Sequence, residues 1–195
     1  NALPWLLELI RERRPRVLSF SWGAWDRDDD LVAMIHSTRY ADFARELLAL
    51  CRELGITLVI ASGNDDANDA DDDINQPGRS LLPDALIVGA ADRYGVPTPW
   101  SGDGKGGACV MLGKDVLSPN LRGGWSYWDG TSSCCPKVAG VAAAMALPPA
   151  AFRAHLLDQC SYPVGEEHER PHPKWFYGNF EEGWQAYARR LQVQE

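Results

Sequence analysis

Short, almost uninterrupted apolar runs alternate along this chain with longer stretches whose apolar positions recur three and four residues apart. Residues 16–22, RVLSFSW, form the first run, which is rich in strand formers and closed by Gly23. ITLVIAS at 56–62 is the second, broken by Gly63-Asn64, and ALIVGAA at 85–91 is the third. Runs that are apolar at every position suit strands covered on both faces, as in a parallel sheet. A Gly/Pro-rich stretch follows, with shorter strand-like pieces such as ACVML at 108–112, and SYW at 126–128 leads into the next motif. The helical spacing is clearest from Leu31 to Leu54, with Leu47, Leu48, Leu50 and Cys51 late in the run and Gly55 as the stop. NALPWLLELIRERRPR predicts an amphipathic helix after Pro4, and DRDDD at 26–30 a polar loop or helix start. Residues 132–146 predict a small-residue helix ended by Pro148-Pro149. PAAFRAHLLDQC predicts another, and residues 176–191 a glycine turn with a last helix. This order predicts an α/β fold with a mostly parallel central sheet. No internal repeat or linker divides residues 1–195, so one domain is expected.

Composition narrows the function. The chain of 195 residues is 45% apolar and 24% charged, with a net charge of −8. Such a field repels nucleic acid and anionic membranes, so neither is expected as a partner. No apolar run approaches the roughly 18–20 residues of a membrane-spanning helix. The N-terminal stretch is not a signal peptide, because its basic residues follow the apolar ones. It also lacks an initiator Met, so a fragment or a processed product is expected. Arg11, Arg13, Arg14 and Arg16 read as the solvated face of the first helix, or as a face toward a preceding part of the protein. Cys51, Cys109, Cys134, Cys135 and Cys160 show no CxxC or Cys/His ligand spacing. They read as buried thiols rather than a metal site. Cys134 and Cys135 point different ways on a helix and are not expected to pair with each other. The compartment stays open.

Two places carry candidate chemistry. DGTSSCCPKVAG at 129–140 sets Ser132 where a loop enters a helix. A serine there is ordinarily an N-cap. The small-residue run behind it allows unusually close packing, and a helix N-terminus beside a serine suits an oxyanion. VIASGN ends a buried strand with Asn64, either as a turn residue or as a functional group at a strand's C-terminal end.

Taken together, these motifs resemble the subtilisin-like serine peptidases, family S8. The family's Ser-Leu-Gly strand end is matched by Ser21-Trp22-Gly23, and its Gly-Asn strand end by Gly63-Asn64. Its Val-Gly-Ala strand and Phe-Ser turn are matched by IVGAA and Trp100-Ser101. Its Gly-Thr-Ser-Met-Ala-x-Pro-His-Val-Ala-Gly is matched by GTSSCCPKVAG. ACVMLGKDVLSP stands for the strand leading to Ala-Pro-Gly, without the Ala-Pro, and FYGNFEEGWQAYA resembles the family's last segment. Order and approximate spacing agree from about Arg16 to Ala188. The resemblance implies a three-layer subtilisin-like fold without its N-terminal part. It implies Ser132 as nucleophile, with Asn64 and the Ser132 backbone N–H as oxyanion donors. Ser21, Trp22, Gly23, Ala61, Ser62 and Gly63 would line the substrate cleft and offer backbone edges to an extended peptide. Trp22, where the family has Leu, would reshape its pocket.

Three departures qualify what is expected. The family's Asp and His motifs precede the first strand, and none of the 15 residues before Arg16 is Asp or His. His36 and Asp26 to Asp30 follow that strand, in the wrong order for the roles. Lys137 replaces a structural histidine, and residues 24–44 lengthen the link between the first two strands. A lone serine hydroxyl is a poor nucleophile. The chain alone is therefore expected to be inactive, with an N-terminal segment or companion chain supplying His and Asp. The alternative is a degenerate subtilisin-like domain that binds peptides or proteins. The six aspartates of residues 64–75 read as a solvated loop favouring basic substrate residues, with calcium as the other reading. No cofactor is otherwise expected.

Overall fold

The computed structural model describes residues 2–21, 38–64, 84–93, 98–101 and 109–159. Helix α1 is Ala2–Arg13, with Pro4 inside its first turn, where the missing N–H costs little. Strand β1 is Val17–Phe20, helix α2 Thr38–Leu54, strand β2 Thr57–Ala61 and strand β3 Leu86–Ala91. Strand β4 is Cys109–Leu112, β5 Val116–Pro119 and β6 Trp125–Trp128. A 3-10 turn spans Thr131–Ser133, followed by α3 at Cys135–Met145 and α4 at Pro149–Gln159. Among the described residues, no single helix is long and apolar enough to cross a membrane.

The first four strands form one parallel sheet in the order β1-β2-β3-β4. Side chains alternate across β2, and each face feeds its own core. Leu58 and Ile60 pack with Leu7 and Ile10 of α1 and with Phe43, Leu47 and Leu48 of α2. Val59 and Ala61 face the other way, against Val138, Ala139 and Ala142 of α3 and Phe152 and Leu156 of α4. Helices cover both faces, giving the three layers implied by the sequence. This explains why β2 and β3 are buried at every position. The small residues of α3 let it sit close under the sheet, as their pattern predicts.

The sequence reading differs in two places. The stretch after β4 contains an antiparallel hairpin, β5 with β6, pairing Leu117 with Tyr127 and Pro119 with Trp125. Its turn is organised by Asn120, whose Oδ1 accepts the N–H groups of Arg122 and Gly124. The helix expected from residue 132 begins instead at Cys135, because residues 131–133 take the tighter 3-10 turn. For the helix expected over 31–54, the described portion begins at Thr38. The 176–191 segment lies outside the described residues.

Candidate active site

Two chain segments meet at the C-terminal end of β2. After Ala61, the Ser62 N–H donates to the Val88 carbonyl at 2.9 Å and extends the ladder by one residue. Gly63 then turns with φ +100°, a conformation that favours glycine, and presents Asn64. The other segment leaves the β5–β6 hairpin. Its ends are held together by the Gly130 N–H on the Gly113 carbonyl at 2.8 Å and the Asp115 N–H on Asp129 Oδ1 at 2.7 Å.

Thr131 joins the two segments and is only 1% exposed. Its backbone N–H donates to Asn64 Oδ1 at 2.8 Å and its hydroxyl to the same oxygen at 3.0 Å. The hydroxyl in turn accepts the Gly63 N–H at 3.1 Å. A backbone N–H can only donate, so the amide atom facing Thr131 is the oxygen and Nδ2 is directed away from it. A Cβ on Gly130 would sit 3.5 Å from Asn64 Nδ2 and 3.8 Å from the Ser132 backbone N. Both expected oxyanion donors therefore border the space that this glycine leaves open.

Ser132 is exposed, in the 3-10 turn, and its hydroxyl makes no hydrogen bond to the described residues. It caps nothing: the residue preceding α3 is Cys134, and no side chain caps that helix. The Ser132 carbonyl accepts the Ser21 hydroxyl at 3.1 Å, which ties the end of β1 to the serine loop.

Behind Ser132, two buried thiols fasten α3 to different strands. Cys134 Sγ donates to the Met111 carbonyl of β4 at 3.3 Å, and Cys135 Sγ to the Val59 carbonyl of β2 at 3.4 Å. Both are free and fully buried, as expected from the sequence. Burial pushes the Cys134 thiol up to about 12, against a smaller downward pull from Lys137. Burial also raises Cys135, with the Ser19 and Ser21 hydroxyls opposing. Lys137 is half-buried, its pKa lowered by that burial, and its ammonium donates to the Leu112 carbonyl. The lysine at the family's histidine position thus supports the end of β4.

The residues expected to line a cleft divide. Ser21 is exposed and Gly63 half-buried beside Thr131, whereas Ala61 and Ser62 are buried, Ser62 at 2%. Their side chains face the interior. Trp22, Gly23, His36 and the aspartates of 65–73 lie outside the described residues, as does Cys160. Among the described residues, no cluster of His, Cys, Asp or Glu could hold a metal. The one described histidine, His155, is on α4, and no hydrogen bond joins it to Ser132. Nothing in the local sequence singles out Thr131 beyond its place between Gly130 and Ser132. A buried hub needs the partner strand to be recognised.

Residues 2–164 match the subtilase family, Peptidase_S8. The chain belongs to the subtilase family. No protein in a curated sequence comparison matches it. Among solved structures, this subtilase is similar to the prenylagaramide maturation protease PagA. They share 22% identity at a TM-score of 0.64, over 93% of this chain and 65% of that one. The patellamide maturation protease PatA is similar at 22% identity and a TM-score of 0.64, over 95% and 66%. A cold-adapted subtilisin-like serine proteinase matches at 18% identity and a TM-score of 0.64, over 88% and 58%. At these identities the structures establish a shared subtilisin-like fold. The subtilase chain spans less than two thirds of the length of these neighbours.

Proposed function

We propose that the complete protein is a serine endopeptidase that works through an acyl-enzyme on Ser132. The observation that carries this reading is the placement of Asn64. Thr131 holds its oxygen, which leaves its N–H₂ bordering the space at Gly130 that the Ser132 N–H also borders, next to an exposed serine hydroxyl that makes no hydrogen bond among the described residues. A donor pair of this kind stabilises the charge that appears on a carbonyl oxygen under attack.

In this reading, the Ser132 hydroxyl oxygen bonds to the scissile carbonyl carbon while a histidine takes its proton. The oxyanion rests on Asn64 Nδ2 and the Ser132 N–H. Collapse breaks the C–N bond, the histidine returns the proton to the leaving amine, and water then cleaves the ester by the same route. The histidine and its orienting carboxylate come from an N-terminal segment or companion chain, and this chain alone is inactive. Two features support that division. No described base reaches Ser132, and β1 is an edge of the described sheet on the side away from β2. A further strand adding there would cover the open edge. Ser21, Trp22, Gly23, Ala61, Ser62 and Gly63 form the peptide-binding border, with the polypeptide substrate engaged through its backbone. Any preference for basic residues arises from the 64–75 aspartates.

The test is fluorophosphonate labelling of the protein as isolated from its source, with mapping of the labelled residue. Label on Ser132 that is lost in Ser132→Ala supports the peptidase. A folded sample containing any upstream segment and taking no label favours the alternative, a degenerate domain that binds peptides. The Ser132 hydroxyl, which no group among the described residues engages, is the observation in favour of that alternative.

A further inference from the structure

A cavity of about 570 Å³ opens at the opposite end of the sheet from Ser132, where β2 and β3 begin. Leu48 and Cys51 from the end of α2, Ile56 just before β2, Leu58 and Leu86 from the strands, and Pro149 from the start of α4 give it an apolar wall. Its size lies within the range of about 300–1,000 Å³ typical of small-molecule sites, which combine an apolar lining with a few polar groups.

Three charged side chains border it. The Arg52 Nε donates to Asp84 Oδ2 at 2.5 Å, so these two balance each other. Arg153 is half-buried, and its Nη1 donates to the Ala85 carbonyl at 3.3 Å. Among the described residues no carboxylate pairs with it. A guanidinium carries five donors in a fork that matches a carboxylate, and one neutral carbonyl neither fills that fork nor offsets its charge. Among the described residues, the lining therefore carries one uncompensated positive charge against an aliphatic wall.

We propose that this cavity binds a small monocarboxylate with an apolar body. Its carboxylate pairs with Arg153, and its hydrocarbon lies against Leu48, Leu58 and Leu86. Charge complementarity selects this occupant: a neutral apolar molecule leaves the guanidinium unpaired, and a multiply charged anion must desolvate charges that the aliphatic wall cannot repay. The site is remote from Ser132 and does not depend on the peptidase reading.

The experiment is calorimetric titration of the full chain with decanoate and, separately, with 1-decanol, which has the same tail and no charge. Decanoate is expected to bind once per chain and 1-decanol about tenfold or more weakly. Arg153→Gln should bring decanoate down to the affinity of the alcohol, and Arg153→Lys should keep part of the preference. Equal affinity of the two ligands for the unaltered protein, or no binding of either, overturns the proposal. So does a folded Arg153→Gln protein that binds decanoate as before. If Arg153→Gln does not fold, the comparison of acid with alcohol on the unaltered protein decides alone.

Discussion

The amide oxygen of Asn64 accepts two hydrogen bonds from Thr131, at 2.8 Å from the backbone N–H and 3.0 Å from the hydroxyl. Those two bonds decide which end of the amide faces the serine loop. They also couple the C-terminal end of β2 to the residue immediately before Ser132, so Asn64 and the Ser132 loop are held by one hub.

Asn64→Ala in the complete protein should lower kcat by about 100–1000-fold, a scale set by subtilisin itself, with a much smaller change in KM. Asn64→Asp separates the donor from the anchor. The carboxylate keeps an acceptor for Thr131 but offers no donor to an oxyanion. It should therefore retain more of the stability while losing the activity. Steady-state kinetics with parallel urea unfolding reads both.

Thr131→Val keeps the shape of a residue that is 1% exposed but removes its hydroxyl. The part-buried Gly63 N–H then loses its acceptor, at a cost of about 0.5–1.5 kcal/mol, the net worth of one hydrogen bond. Urea unfolding should show that loss, and Thr131→Ser should recover most of it.

Gly130→Ala tests the space between the donors. The residue sits at φ +149° and ψ 148°, where a side chain is strained, and the new methyl would stand 3.5 Å from Asn64 Nδ2 and 3.8 Å from the Ser132 N. Strain of this kind costs about 1–3 kcal/mol. Fluorophosphonate labelling of Ser132 should fall sharply in protein that is still folded by circular dichroism.

Stability should decline in alkali. Burial raises the folded-state thiol of Cys134 from 9.0 to about 12 and that of Cys51 from 9.0 to about 11, and raises Cys135 as well. Above pH 9 the unfolded chain loses these protons first and so binds fewer than the folded chain. Stability then falls with rising pH, and the contribution is complete only below the unfolded value. Lys137, lowered from 10.5 by burial, acts in the opposite direction over its own window, but it is one group against three. Melting temperatures measured from neutral pH into that range should drop, and Cys134→Ala should flatten the slope.

Local sequence determined the parts. Apolar runs marked the strands, most plainly β2 and β3, because a strand covered on both faces needs apolar residues at every position. Gly63-Asn64 and Gly130-Thr131-Ser132 were legible as motifs because their order and spacing resemble one family. Helix starts were less legible: Ser132 sits in a position that suits a cap, yet a 3-10 turn intervenes and α3 begins at Cys135. The hairpin of β5 and β6 was less legible because β5 alternates in burial and β6 is largely exposed, so neither runs apolar.

The tertiary structure decided what those parts do. Thr131 and Asn64 are 67 residues apart, and no local propensity signals that one fixes the amide of the other. Sequence predicted Cys134 and Cys135 as buried thiols, but only the packed sheet assigns them to carbonyls of β4 and β2. Ser62 belongs to a cleft motif, yet its side chain turns inward because a strand places successive residues on opposite faces. Local pattern follows from backbone geometry and burial, whereas orientation within the site follows from which distant donor meets which acceptor.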